Sequence, residues 1–226
     1  MTLAILLVLA ASLLGGWARH SVQKHYRDNQ QVPNQAGMSG AEVAEALLRA
    51  QGLAEVPVER VEGFLSDHYD PRAKVLRLSA QVYDGRDLSA LGIAAHEAGH
   101  ALQQAHRYAP LTLRNFTVPS AQLGNLLGIP LLLLGAVLHN PLLAIVGLLF
   151  YLGVVLFQLI TLPVELDASR RALASLDDLR LLRTEQEVQG VTAVLNAAAL
   201  TYVAAALAGL SMLLYYALMI FGGRRN

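Results

Sequence analysis

The sequence predicts an α-helical multi-pass membrane protein, with four transmembrane helices carrying a small α+β domain on the cytoplasmic side. Three observations predict it. Hydrophobic residues make up 54% of the 226 residues, above the roughly 45–50% usual for a soluble domain. That excess is gathered into four uninterrupted runs, each near the ~20 residues that a helix needs to cross the hydrocarbon core. The Lys and Arg residues fall unevenly between the runs, as they do where some loops stay in the cytoplasm.

The first run is residues 1–18, closed by Trp17 and Arg19. It has no positive stretch before it, and Arg19, Lys24 and Arg27 follow it, so it reads as an uncleaved anchor and not a signal peptide. The second and third runs, residues 123–138 and 142–162, form a hairpin (121–162) joined by His139, Asn140 and Pro141. Pro130 predicts a kink in the second. The fourth run occupies 197–222. Eleven Lys and Arg lie in 19–120 and four in 163–196, whereas the hairpin turn has none. Both large loops are therefore expected in the cytoplasm, although Arg224 and Arg225 after the last run count against that orientation.

Within 19–120, residues 19–40 are polar and turn-rich and read as a linker. Ser39 followed by Glu42 is a capping-box pattern, opening an amphipathic helix that ends at Gly52. "VPVERVEGFL" and "AKVLRLSAQVY" alternate as half-buried strands do, with "SDHYDP" as a turn between them. "GRDLSALGIAAHEAGHALQQAHR" opens in a turn and continues as a helix. Net charge is zero, so no bulk electrostatic case exists for nucleic acid. Without cysteine, any metal must be held by His, Asp or Glu.

The chemistry sits in that last helix. His96 and His100 are four apart and share a face, so both can reach one metal ion. Glu97, about 100° round the helix, can take a proton from a metal-activated water and pass it to a leaving amine. Chance gives only about 0.01 such patterns in a chain of this composition. The expected cofactor is one zinc ion (Zn2+) per chain, which makes the small domain zincin-like.

A catalytic zinc keeps three protein ligands. His106 stands where the pattern H-E-x-x-H-x-x-G-x-x-H has its last histidine, but Gln103 holds the place of the glycine that would end the helix. If the helix continues, His106 points about 120° away from the ligand face. The other candidate is in "ITLPVELDASRRALASL", where Pro163 can open a helix. Glu165 and Ser169 share a face there, and Asp167 points nearly the opposite way. Glu165 would complete a His₂Glu site with Ser169 behind a histidine. Equally, Glu165, Asp167, Arg170 and Arg171 read as a solvated helix start, and spacing alone does not decide.

"SDHYDP", "LRLSAQVYDGR", "AAHEAGHALQ" and "LPVELDASRRAL" resemble signature segments of the YugP-like bacterial membrane zinc metallopeptidases, and with the four-span layout the resemblance covers nearly the whole chain. That family is similar to the HtpX and CAAX-prenyl endopeptidase gluzincins, whose third ligand is a glutamate in E-x-x-A-D. "ELDAS" agrees at Glu165 and Ala168 and departs at Ser169. The resemblance implies zinc ligands His96, His100 and Glu165, with Glu97 as catalytic base and acid. It suggests substrate pairing along the strand "KVLRLSAQ", taken as an edge, with His68 able to stabilise an oxyanion. His68 also reads simply as a turn residue. Arg170 and Arg171 would clamp substrate or pair with Asp167.

The expected function is hydrolysis of peptide bonds in membrane, membrane-adjacent or misfolded proteins at a bacterial cytoplasmic membrane. The expected partners are protein or peptide substrates and the lipid bilayer, with a homo-oligomer or a scaffold partner left open. Two rivals stand beside it: a catalytically silent membrane scaffold with a structural metal, and a protease cleaving within the bilayer. Intact Glu97 argues against the first, and the charge flanking the motif argues against the second.

Overall fold

In a computed structural model, which describes residues 2–222, the chain divides into two compact units. Met1, Arg224 and Arg225 lie outside the described residues. The elements are α1 (Thr2–Gln30), α2 (Gly40–Ala50), β1 (Val58–Val61), β2 (His68–Asp70), β3 (Val75–Ser79), α3 (Ala80–Asp84), α4 (Leu88–Ala105), α5 (Ala109–Leu123), α6 (Ile129–Val137), α7 (Pro141–Asp178) and α8 (Glu185–Gly222). Among the described residues, four helical stretches are long and apolar enough to cross a membrane: Thr2–Gln30, Ala109–Val137, Pro141–Asp178 and Glu185–Gly222.

The first unit takes residues 2–19, Ala109–Val164 and 200–222. Leu3, Leu13, Phe116, Leu133, Leu142 and Leu149 are exposed on it, an apolar surface of the kind that lipid covers. Its interior depends on small residues. A Cβ at Gly128 would lie 3.0 Å from the backbone nitrogen of Tyr151, and one at Gly153 would lie 3.2 Å from the Ser120 carbonyl. Backbones approach this closely where helices pack without a hydrophobic driving force. The break expected at Pro130 is a π-helical turn, Gly124–Gly128, between α5 and α6. Proline offers no N–H to the carbonyl four residues back, and widening the preceding turn accommodates that gap.

Three of the expected boundaries move. The first helix runs on to Gln30 through the segment read as a linker. Pro163 opens no new helix: it lies inside α7, which continues to Asp178. The last helix begins at Glu185 and not at residue 197. Hydropathy marks where a helix stops being apolar, which is not where it stops.

The second unit takes His20–Tyr108 and Glu165–Ala199, and so draws on both of the large polar segments. Its sheet has the order β1-β3-β2. β1 runs parallel to β3, and β2 pairs antiparallel with it, His68 opposite Arg77. This corrects two expectations. "SDHYDP" contributes a strand and not merely a turn, and the strand in "KVLRLSAQ" is central and not an edge. The Asp70 carboxylate accepts from the amides of Arg72 and Ala73 and makes the turn that allows so short a hairpin. The expected capping box at Ser39 and Glu42 is formed.

α4 is the axis of this unit. Asp87 caps its first turn by accepting from the Ala90 N–H at 2.9 Å. Leu76 and Leu78 of β3, Val43 and Leu47 of α2, and Leu88, Leu91, Ala94 and Ala98 of α4 form one buried core. The Ser89 hydroxyl donates to the Tyr26 carbonyl on α1. α7 crosses α4 so closely that a Cβ at Gly99 would lie 2.5 Å from the Ala168 carbonyl oxygen. We predict that Gly99→Val forces these backbones apart. The variant should lower the thermal midpoint by several degrees, an overpacking cost of about 1–3 kcal/mol, and should lose zinc stoichiometry in the purified protein. Unchanged midpoint and zinc content would refute the crossing as drawn.

Candidate metal centre

Helical periodicity puts His96 and His100 one turn apart on α4, with ring centroids 4.8 Å apart and ring planes at 84°. Across the close crossing, α7 brings up Glu165, which is 2% exposed. Its Oε2 lies 3.2 Å from His96 Nε2 and 3.5 Å from His100 Nε2. One donor atom from each of the three residues falls within 4.8 Å of the others. Glu165 stands past the apolar run, which ends at Leu162.

The outer nitrogens of both rings are engaged. His96 Nδ1 is 3.1 Å from Ser169 Oγ, and His100 Nδ1 is 3.0 Å from Gln103 Oε1. Gln103 in turn donates from Nε2 to Asp167 at 2.9 Å, and Arg171 donates from Nε to the same carboxylate oxygen at 2.6 Å. An amide oxygen only accepts, so His100 Nδ1 carries the proton and Nε2 turns a lone pair towards Glu165. Two acceptors facing each other at that distance need a proton or a cation between them. Two imidazole nitrogens and one carboxylate oxygen, without thiolate, are a donor set that suits zinc.

With a proton as that bridge to Glu165, His100 is charged, both ring nitrogens protonated: burial works against this, but the Glu165 carboxylate and the Glu97 charge outweigh it and hold its pKa above the ordinary histidine value. Burial likewise opposes an ionised Glu165, yet hydrogen bonds from His100 and then His96 hold it well below the usual carboxylate range. Asp167 is also lowered: burial raises it, but Arg171 and Gln103 prevail.

Glu97 faces a different neighbour. Its Oε2 accepts the Tyr69 backbone N–H from β2 at 3.0 Å. Gln104 of α4 donates to the Pro71 carbonyl at 3.0 Å, so β2 and its turn are tied to the motif helix at two points. Asp67, which precedes β2, accepts from both the amide and the hydroxyl of Ser79 on β3.

The remaining candidates fall as follows. His68 is exposed on β2, its Nδ1 bonded to the Ser66 carbonyl at 2.8 Å. Arg170 is exposed, 3.8 Å from Asp167. Asp167 does not point away from α4; the long Gln103 side chain reaches it round the flank of the crossing. α4 stops at Ala105, so His106 is its C-cap, and His106 Nδ1 accepts from Arg171 at 2.9 Å. Sequence reasoning missed Gln103 as a partner, although its place three residues after His100 was the available signal. Nothing in a side-chain pattern could have announced the Tyr69 amide.

This geometry predicts that Glu165→Ala abolishes tight zinc binding, that Ser169→Ala weakens it about 10-fold, and that His106→Ala leaves it within about twofold. Metal analysis and chelator competition read all three. Zinc lost from the His106 variant and kept by the Glu165 variant would overturn the ligand set.

Residues 4–221 match the family described as "Putative neutral zinc metallopeptidase". Over 223 residues, 98% of each chain, the sequence is 44% identical to a Bacillus subtilis (strain 168) protein described as "Putative membrane protease YugP". No solved structure matches the chain. The chain belongs to this family of YugP-like zinc metallopeptidases.

Proposed function

We propose that the protein is a membrane-integrated zinc metalloendopeptidase of the gluzincin type, which hydrolyses peptide bonds of membrane or membrane-adjacent proteins. The observation that carries this reading is the convergence of His96, His100 and Glu165, with the Glu97 carboxylate next to them on α4. One zinc ion per chain, held by the three residues, would supply a Lewis acid for water and for the scissile carbonyl.

The chain supplies the rest. The Tyr69 N–H fixes Glu97 Oε2, so Oε1 is the atom that takes the proton from the attacking water and delivers it to the leaving nitrogen. Because Tyr69 N–H points away from β3, the edge of β2 that no other strand pairs with faces α4. An extended substrate laid along that edge would gain main-chain hydrogen bonds beside the ligands, and β2 replaces β3 as the proposed pairing strand. His68, on the same strand, is available to a substrate oxygen, and exposed Arg170 to a substrate side chain or terminus. The loop charges support placing both polar segments at the cytoplasmic face of a bacterial membrane.

Two experiments test this. Glu97→Gln should keep wild-type zinc and lose cleavage of casein or an unfolded membrane protein by about 10²–10⁴-fold. Cleavage by that variant at the wild-type rate would sink the peptidase mechanism. A zinc-loaded wild type that cleaves nothing would instead favour a silent scaffold with a structural metal. Tyr69→Pro should spare the β2–β3 ladder, since its N–H is not used there, while cutting kcat/KM by about 10-fold or more. Wild-type kcat/KM with wild-type zinc would remove the Tyr69 amide from the positioning of Glu97.

A further inference from the structure

Behind the His100 ring lie four side chains that are not among the three candidate metal donors. They form one unbroken series along α4 and α7: His106, Arg171, Asp167 and Gln103. The chemistry of each link allows only one polarity. A guanidinium only donates, so Arg171 gives one N–H to His106 Nδ1 and another to Asp167. A carboxylate only accepts, so the Gln103 amide must turn its NH₂ towards Asp167 and its oxygen towards His100. That oxygen then requires the His100 proton on Nδ1 and leaves Nε2 bare.

The series is held in place at Arg171 and at Gln103. Arg171 lies over the Tyr108 ring, its guanidinium carbon 5.5 Å from the ring centre. Gln103 is fully buried, so a flipped amide would set its NH₂ against an N–H and its oxygen against a carboxylate, at the cost of two buried hydrogen bonds.

We propose that Gln103, set by Asp167 and Arg171, locks the tautomer and direction of the His100 ring, and that these three are positioning residues for metal capture. The inference rests on the zinc-site reading above, which it deepens. It makes the region after the motif part of the centre: a residue one turn beyond the second histidine decides which imidazole nitrogen meets the ion. His106, at the far end, takes part through Arg171 and only weakly.

The test uses the full-length protein in detergent, with zinc affinity from chelator competition and the thermal midpoint measured for each variant. Gln103→Met keeps length and removes the amide; Asp167→Ala removes its anchor; Asp167→Asn keeps an acceptor for Gln103. Leu47→Ala, in the core, serves as a purely structural control. We expect Gln103→Met and Asp167→Ala each to raise the zinc Kd about 10-fold or more, the double variant to be no worse than the poorer single, and Asp167→Asn to recover most of the loss. Leu47→Ala should lower the midpoint and leave Kd unchanged. Zinc Kd within about twofold of wild type for Gln103→Met and Asp167→Ala, or effects that multiply in the double variant, would overturn the proposal. If Asp167→Ala does not fold, Gln103→Met and Asp167→Asn decide alone. Absence of zinc binding by the wild type, or zinc unaffected by His96→Ala, defeats the zinc-site reading and this inference with it. Zinc lost on His96→Ala but indifferent to Gln103→Met defeats this inference only.

Discussion

The crossing of α4 over α7 is the constraint on which the site depends. Three donor atoms can face one point only if two helices approach within the reach of an imidazole and a carboxylate. That distance is set by backbone, since the Ala168 carbonyl occupies the space where a Gly99 side chain would stand. The spacing of residues on each helix then does the aiming. Gly99 lies between His96 and His100, and Ala168 between Glu165 and Ser169. On both helices the contact residue is therefore flanked by the residues that meet across it, and closeness at one pair supplies register for the others.

Such an approach buries charge. Glu165 is almost wholly withdrawn from solvent, and an isolated carboxylate there would protonate rather than remain ionised. A proton or a cation shared with the two histidine nitrogens reverses that outcome, and the hydrogen bonds to Ser169 and Gln103 keep both rings turned inwards. Asp167 needs its own compensation, which Arg171 supplies. The site is thus a nested arrangement in which each buried polar group is satisfied by one further from the centre, as a low-dielectric setting demands.

How far this could be read from sequence follows from the range of each interaction. The histidine pair and Glu97 were legible because helical periodicity alone brings them together. The apolar runs were legible because length and composition suffice. Glu165 was left undecided by spacing, because its partners lie 69 and 65 residues away and only tertiary packing joins them. Pro163 was read as a helix start, whereas α7 absorbs it: a proline in a long packed helix removes one hydrogen bond without removing the contacts on either side. β2 escaped notice because three residues cannot display an alternating pattern, and its identity rests on pairing with β3. Misplacing β2 also misplaced the sheet edge, so one short strand carried two errors.

Gln103 shows why a departure from a motif carries information. In the pattern that ends with a third histidine, glycine at this position stops the helix and lets the chain return to the metal. With glutamine there, α4 runs to Ala105 and His106 caps its end. His106 is then beyond the reach of the donors and accepts from Arg171 instead. The same glutamine has a side chain long enough to bend back to His100 Nδ1 while its other end meets Asp167. One glutamine therefore does two things at once: it lets α4 continue past the point where His106 could turn back, and it offers an acceptor to His100 Nδ1, while the continuing helix faces Glu165.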